Sequence, residues 1–187
     1  MKVIEYHERT KHLPNRPANS AGYLDWATEP NPFRNYEGTS PIQLPFSNTN
    51  SGANYFDLFV RKNDKFQPFS LANIASLLEL SMGLSAWKSY SGTSWALRMN
   101  PSSGNLHPTE AHFVLPPIQE NNNSGGVFHY NPLSHVLEPR AEFNEQFWLR
   151  LENHFNQKGF LIGLTSIYWR ESWKYGERAF RYCNHDI

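Results

Sequence analysis

Arg98-Met-Asn-Pro-Ser-Ser-Gly-Asn-Leu-His-Pro-Thr-Glu110 is the stretch on which the reading of this chain turns. Pro101 fixes φ and is followed by two hydroxyls, a glycine and an amide at Ser102, Ser103, Gly104 and Asn105. Such a run offers several backbone N–H groups, two hydroxyls and one carboxamide in a loop able to open a helix, the equipment for holding anionic or polar heterocycle oxygens. Gly104 removes the side chain that would block close approach. The same residue types dominate ordinary turns for local reasons, so on types alone a plain turn stands open beside a binding loop.

Downstream, three short strand-like runs at 110–115, 127–130 and 135–138 are separated by Pro116-Pro117 with 121–126, and by Asn131-Pro132. These turn signals predict an antiparallel meander with His112 and His129 on the outer faces of their strands. Phe143, Phe147, Trp148, Leu151 and Phe155 recur at helical spacing, which predicts a helix within 141–158 stopped by Gly159. The nearly continuous apolar run 160–167 predicts a central strand covered on both faces. Tyr175, Ala179, Cys183 and Ile187 then lie four apart, one helix face over 173–187 that ends mid-pattern. An apolar stripe left in that state is expected to be completed by another chain or to belong to a fragment.

Upstream, Leu71, Ile74, Ala75, Leu77 and Leu78 mark an amphipathic helix, with Ser70 as its cap and Gly83 as its left-handed terminator. The Ser- and Gly-rich stretch 85–107 has no sustained period and reads as a loop leading to a short helical turn. Residues 1–55 hold Pro14, Pro17, Pro30, Pro32, Pro41 and Pro45, which disfavours long helices and central strands. Tyr23, Trp26, Phe33, Tyr36, Leu44 and Phe46 are too many large apolar groups for a solvated linker, so the segment is expected to be an extended arm that wraps either its own core, a domain formed by 56–187, or a neighbouring subunit.

Composition narrows the function classes. The 187 residues carry enough apolar and aromatic material for one core. Seventeen basic and seventeen acidic residues cancel, so no field of one sign recruits nucleic acid or an anionic membrane surface. No basic segment leads an apolar run at the start, and no apolar stretch approaches the ~20 residues needed to span a bilayer, so a soluble, cytoplasmic chain is expected. Cys183 is the only cysteine, which excludes an internal disulfide, and on an apolar helix face it is expected to be packed and inert. The eight histidines show no metal-ligand spacing, and no metal is assigned.

Residues 98–110 resemble the signature of SagB-type FMN-dependent dehydrogenases, an arginine shortly before Pro-Ser-x-Gly and then a proline and a glutamate leading into a strand. They are also similar to the wider nitroreductase pattern Pro-Ser-x-x-Asn-x-Gln-Pro, with His107 in place of glutamine. Segments 6–12, 126–138 and 174–182 resemble SagB-type segments in order and spacing. The resemblance implies an α+β nitroreductase-like fold, an antiparallel sheet flanked by helices and incomplete at its C-terminus. It implies a homodimer with FMN held by Arg98, Pro101, Ser102, Ser103, Gly104 and Asn105. Arg61, Asn63 and Lys65 stand where the family places its phosphate-holding Arg-x-Ser-x-Arg/Lys. Asn63 replaces the serine and Asp64 adds a like charge, so a solvated charge run before a helix is the competing reading there. The implied chemistry is flavin redox on a small-molecule or modified-peptide substrate, with NAD(P)H as a candidate donor. No catalytic residue is assigned. The rival reading is a non-catalytic or truncated subunit that contributes only surface to an assembly.

Overall fold

Ser70 opens a helix as expected, its hydroxyl accepting from the Asn73 N–H at 3.2 Å. In the computed structural model, which describes residues 2–47, 56, 59, 69–118, 124–155 and 159–187, this helix is α2 (Leu71–Met82). It is preceded by α1 (Val3–Thr10) and β1 (Ile42–Gln43). It is followed by β2 (Leu84–Tyr90), β3 (Thr93–Arg98), β4 (Thr109–Leu115), β5 (Gly126–Asn131), β6 (Val136–Glu142), α3 (Glu145–Phe155), β7 (Leu161–Ser166), α4 (Tyr168–Tyr175) and α5 (Ala179–His185). Gly83 ends α2 with φ −66° and ψ 172°, not the left-handed geometry expected. What forbids a side chain there is space, because a Cβ would lie 2.6 Å from the Glu79 carbonyl oxygen.

The meander is present and is the heart of a five-stranded antiparallel sheet in the order β1-β6-β5-β4-β7. Because side chains alternate across a strand, Ala111, Phe113 and Leu115 of β4 share one face with Phe128 and Tyr130 of β5 and Leu137 of β6. Leu71, Ile74, Ala75 and Leu78 of α2 close that face into the main apolar core. The hydrophobic stripe of α2 and the period-two pattern of the meander therefore meet in one layer.

Four expectations are corrected. The stretch read as a loop, 85–107, contains the β2–β3 hairpin, turned by Ser91 (φ 49°) and Gly92 (φ 84°), the left-handed pair of a two-residue hairpin loop. Its aromatic residues stand largely in solvent, so no burial pattern announced it. The apolar run read as a central strand is β7, at the sheet edge, with Leu161, Ile162 and Leu164 39–49% exposed; among the described residues nothing pairs with its outer side. The final helix is two helices, broken at Gly176 (φ 54°) with a 3-10 turn over Gly176–Arg178. His129, expected on an outer face, is wholly buried, and His112 is half-buried beside it.

The reason for the last correction is the arm. It packs on its own chain: Tyr36 meets the His129 ring edge-on at 5.1 Å, Trp26 meets Trp173 at 5.4 Å, and Leu44 is buried in the core. The Tyr6 hydroxyl donates to the Glu177 carbonyl at 2.8 Å and accepts from the Arg181 N–H. The face of the sheet away from α2 is thus roofed by the arm and by α4, and polar groups on it are buried. Among the described residues no helix is long and apolar enough to cross a membrane.

Candidate functional site

The loop singled out in the sequence runs from the end of β3 to the start of β4 and carries a 3-10 turn over Ser103–Asn105. Gly104, Asn105 and His107 all have φ between 47° and 65°, an unusual density of left-handed residues. For Asn105 and His107 that conformation costs on the order of 1 kcal/mol each and persists only where surroundings enforce it. Here they do. Asn105 N–H donates to the Ser102 carbonyl, Asn105 Nδ2 to the Ala96 carbonyl at 3.0 Å, and His107 N–H to the Ser102 hydroxyl at 2.8 Å.

The loop's hydroxyls turn inward. Ser102 Oγ donates to an Asp186 carboxylate oxygen at 2.7 Å, Ser103 Oγ to the other at 2.9 Å, and Ser103 N–H reaches both at 3.0 and 3.2 Å. Gly104 faces α4: a Cβ there would stand 2.8 Å from the Tyr175 hydroxyl and 2.9 Å from the Lys174 side chain. The absence of a side chain at 104 is therefore explained first by α4, not by the approach of a ligand. Lys174 Nζ also donates to the Gly104 carbonyl at 3.4 Å.

Arg98 is buried under the arm, donating to the Pro32 carbonyl with its guanidinium 4.9 Å from the Phe33 ring centre. Burial lowers its pKa to about 10, with Glu110 opposing and Arg170 adding to the effect, so it remains a cation at neutral pH. His107 is pushed down to about 3 by burial first and by Arg98 and Arg170 next, so its ring is neutral. The Asn105 amide nitrogen is committed to Ala96, which leaves its oxygen facing His107 Nε2 at 3.0 Å and places the ring proton there. Three buried polar atoms of this stretch, Arg98 Nε, Asn100 Oδ1 and His107 Nδ1, have no hydrogen-bond partner among the described residues.

Behind the loop lies a buried ionic row. Arg170 of α4 donates to Glu110 Oε1 at 2.7 Å, His129 bridges Glu110 Oε2 and Glu138 Oε2 at 2.7 and 2.8 Å, and Glu138 also accepts from Asn131 and the Tyr36 N–H. Burial alone would push the Glu110 carboxyl up, but the His129 hydrogen bond and Arg170 outweigh it and the net direction is down. On α4, Glu171 is buried with neither oxygen partnered among the described residues, and burial followed by the Asp186 charge raises it to about 8. Cys183 is buried and its thiol is raised to about 11 by burial, Glu171 and Asp186, as suits a packed, inert cysteine.

The structure thus brings together Arg98, Pro101, Ser102, Ser103, Gly104 and Asn105 on one loop, while Arg61, Asn63 and Lys65 lie outside the described residues. The sequence reading missed Asp186 and Tyr175 as neighbours of this loop, and left Lys174 open between an exposed helix face and a place near a flavin. An apolar cavity of about 150 Å³, lined by Trp148, Leu151, Phe155 and Phe160 among others, shares no residue with the loop.

Over 98% of its length the chain superimposes on the crystal structure of a protein assigned as a nitroreductase from Anabaena variabilis, with a TM-score of 0.70 and 27% sequence identity. A second protein so assigned, from Ralstonia eutropha, matches 82% of the chain and 73% of its own, at 18% identity and a TM-score of 0.51. The chain has a nitroreductase-like fold. This nitroreductase-like chain spans 35% of the length of the Anabaena protein, about a third. A weaker likeness, at a TM-score of 0.47 and 20% identity, is to the E. coli microcin synthetase McbBCD complex with truncated pro-MccB17 bound, and at that level it says nothing of substrate. No family model and no curated protein matches the nitroreductase-like chain.

Proposed function

We propose that this chain supplies the flavin-binding loop of an FMN-dependent oxidoreductase of the nitroreductase class, of the SagB type. The observation that carries the reading is the loop 98–107, held in a left-handed conformation on this fold with buried polar atoms that have no hydrogen-bond partner among the described residues. A flavin's ring oxygens and nitrogens need donors and acceptors of this kind, and in chemistry the set fits: the Arg98 guanidinium, the His107 ring, the Tyr175 hydroxyl and the Lys174 ammonium. FMN, when bound, accepts two electrons or a hydride from a donor and passes them on. The chain's part is to orient the ring through the loop and, through Arg61 and Lys65 with Asn63 between them, to hold the phosphate. Arg98, a cation at neutral pH, would offset negative charge on the ring.

The arm, 1–55, is read as the roof of a domain formed by 56–187. Two copies joined as a homodimer, NAD(P)H as donor and a small-molecule or modified-peptide substrate complete the proposal. The test is a visible absorbance spectrum of the purified protein with mass identification of any released cofactor. Flavin bands and released FMN are the expected result. A colourless protein that takes up no added FMN would overturn this reading and leave a non-catalytic subunit.

A further inference from the structure

The hydroxyls of Ser102 and Ser103 and the Ser103 N–H are all turned to one carboxylate, that of Asp186 at the end of α5. The same residue is fixed on its main-chain side: its N–H donates to the Tyr182 carbonyl at 3.0 Å and its carbonyl accepts from Thr109 Oγ1 at 3.1 Å. Asp186 therefore ties three elements together, the loop, the first residue of β4 and the last turn of α5. On the other side of the loop stand Tyr175 and Lys174 of α4, close enough to Gly104 that a Cβ would collide. The loop is gripped from both sides by the two halves of the broken helix.

We propose that Asp186 is the positioning residue of this loop: its carboxylate, by gathering the hydroxyls and N–H of Ser102 and Ser103, sets the left-handed Gly104, Asn105 and His107 in the geometry that receives the cofactor. The inference rests on the reading of the loop as the flavin's seat. The chemistry requires a carboxylate in particular. A carboxylate has two oxygens and about four acceptor sites, enough for two hydroxyls and a bifurcated N–H, and charge-assisted bonds of this kind are roughly twice as strong as neutral ones. An asparagine would accept with one oxygen and turn an NH2 toward a donor. The strain of two left-handed non-glycine residues is the load that this clasp holds.

The test compares wild type, Asp186→Asn and Asp186→Glu by amide hydrogen exchange without cofactor and by titration with FMN. In Asp186→Asn, exchange at residues 103–107 is expected to accelerate at least about tenfold while amides of α2 and the β4–β5 pair keep their rates, showing a folded protein with a freed loop. FMN affinity is expected to fall about tenfold, with the bound flavin's absorbance bands moving toward those of free FMN, and Asp186→Glu, which keeps the charge, is expected to recover part of both. Unchanged exchange at 103–107 would overturn the clasp. Accelerated exchange with unchanged FMN affinity and spectrum would overturn its role in positioning. Wild type that binds no FMN would remove the flavin reading, and with it the cofactor role, while the exchange data still decide whether Asp186 sets the loop.

Discussion

Replacing His129 with phenylalanine is expected to cost ~3–5 kcal/mol of folding stability, measured by urea unfolding at neutral pH. The ring volume is nearly kept, so packing alone predicts a small change. The cost comes from what remains: Glu110 and Glu138, both 2% exposed, lose the group between them that satisfied one oxygen of each. The two ring nitrogens stand 2.8 and 2.7 Å from carboxylate oxygens of Glu138 and Glu110, so one side chain is the hydrogen-bond partner of both. Removing that ring leaves buried charge that Arg170 offsets only at the Glu110 end. Changing Glu138→Gln in the same background removes one of the stranded charges and is expected to return part of the loss, a coupling read from the double-mutant cycle. The row also bears on acid stability. Glu110 is held below its ordinary value, so its contribution is present above about pH 4.5 and is lost as pH falls through its folded value. Without His129 that acid-side loss should shrink. A loss below about 1 kcal/mol for His129→Phe would show that the row is solvated or repacks.

What could be read from the sequence was what local chemistry determines. Ser70 and the Leu71, Ile74, Leu78 stripe fixed α2, and Pro116-Pro117 and Asn131-Pro132 separated the strands of the meander, because caps, periods and turn residues act over a few positions. Position 98–107 was legible as a donor-rich loop for the same reason. Its partners were not. Asp186 lies 84 positions from Ser102, and no local pattern links them. The burial of His129 likewise depends on the arm and α4, although a signal existed: Glu110 and His112, His129 and Asn131, and Glu138 occupy one face of three adjacent strands, more polar groups than a plain outer face needs. The edge position of β7 defeated the composition argument, since an apolar run of strand length implies cover without saying which chain supplies it. The break at Gly176 was overlooked because Tyr175, Ala179 and Cys183 keep helical spacing across it.

Glu171→Gln is expected to stabilise the protein by an amount that grows with pH. The carboxyl is fully buried on α4, and among the described residues neither oxygen is hydrogen-bonded. Burial is the first cause that raises it from 4.5 to about 8, and Asp186 is the second; Lys174 acts the other way and is outweighed. Tyr175 and Cys183, which also face it, titrate above this range and do not change charge within it. Between about 4.5 and 8 the folded state holds a proton that the unfolded chain has released, so stability falls as pH rises through this window and levels off above the folded value. The slope is ~1.4 kcal/mol per pH unit, reaching roughly 4–5 kcal/mol by the upper end. His107, held near 3, works in the opposite sense between about 3 and 6.5 and would blur the profile of wild type alone. It is common to both proteins, so the difference between variant and wild type isolates Glu171. Glutamine matches the neutral acid in shape, and the two proteins should therefore be nearly equal near pH 4.5 and furthest apart at pH 8–9, with melting temperatures separated by ~2–4 °C for each kcal/mol. A difference that stays flat from pH 5 to 9 would mean that Glu171 ionises as freely in the fold as outside it, through water or another group reaching its carboxyl.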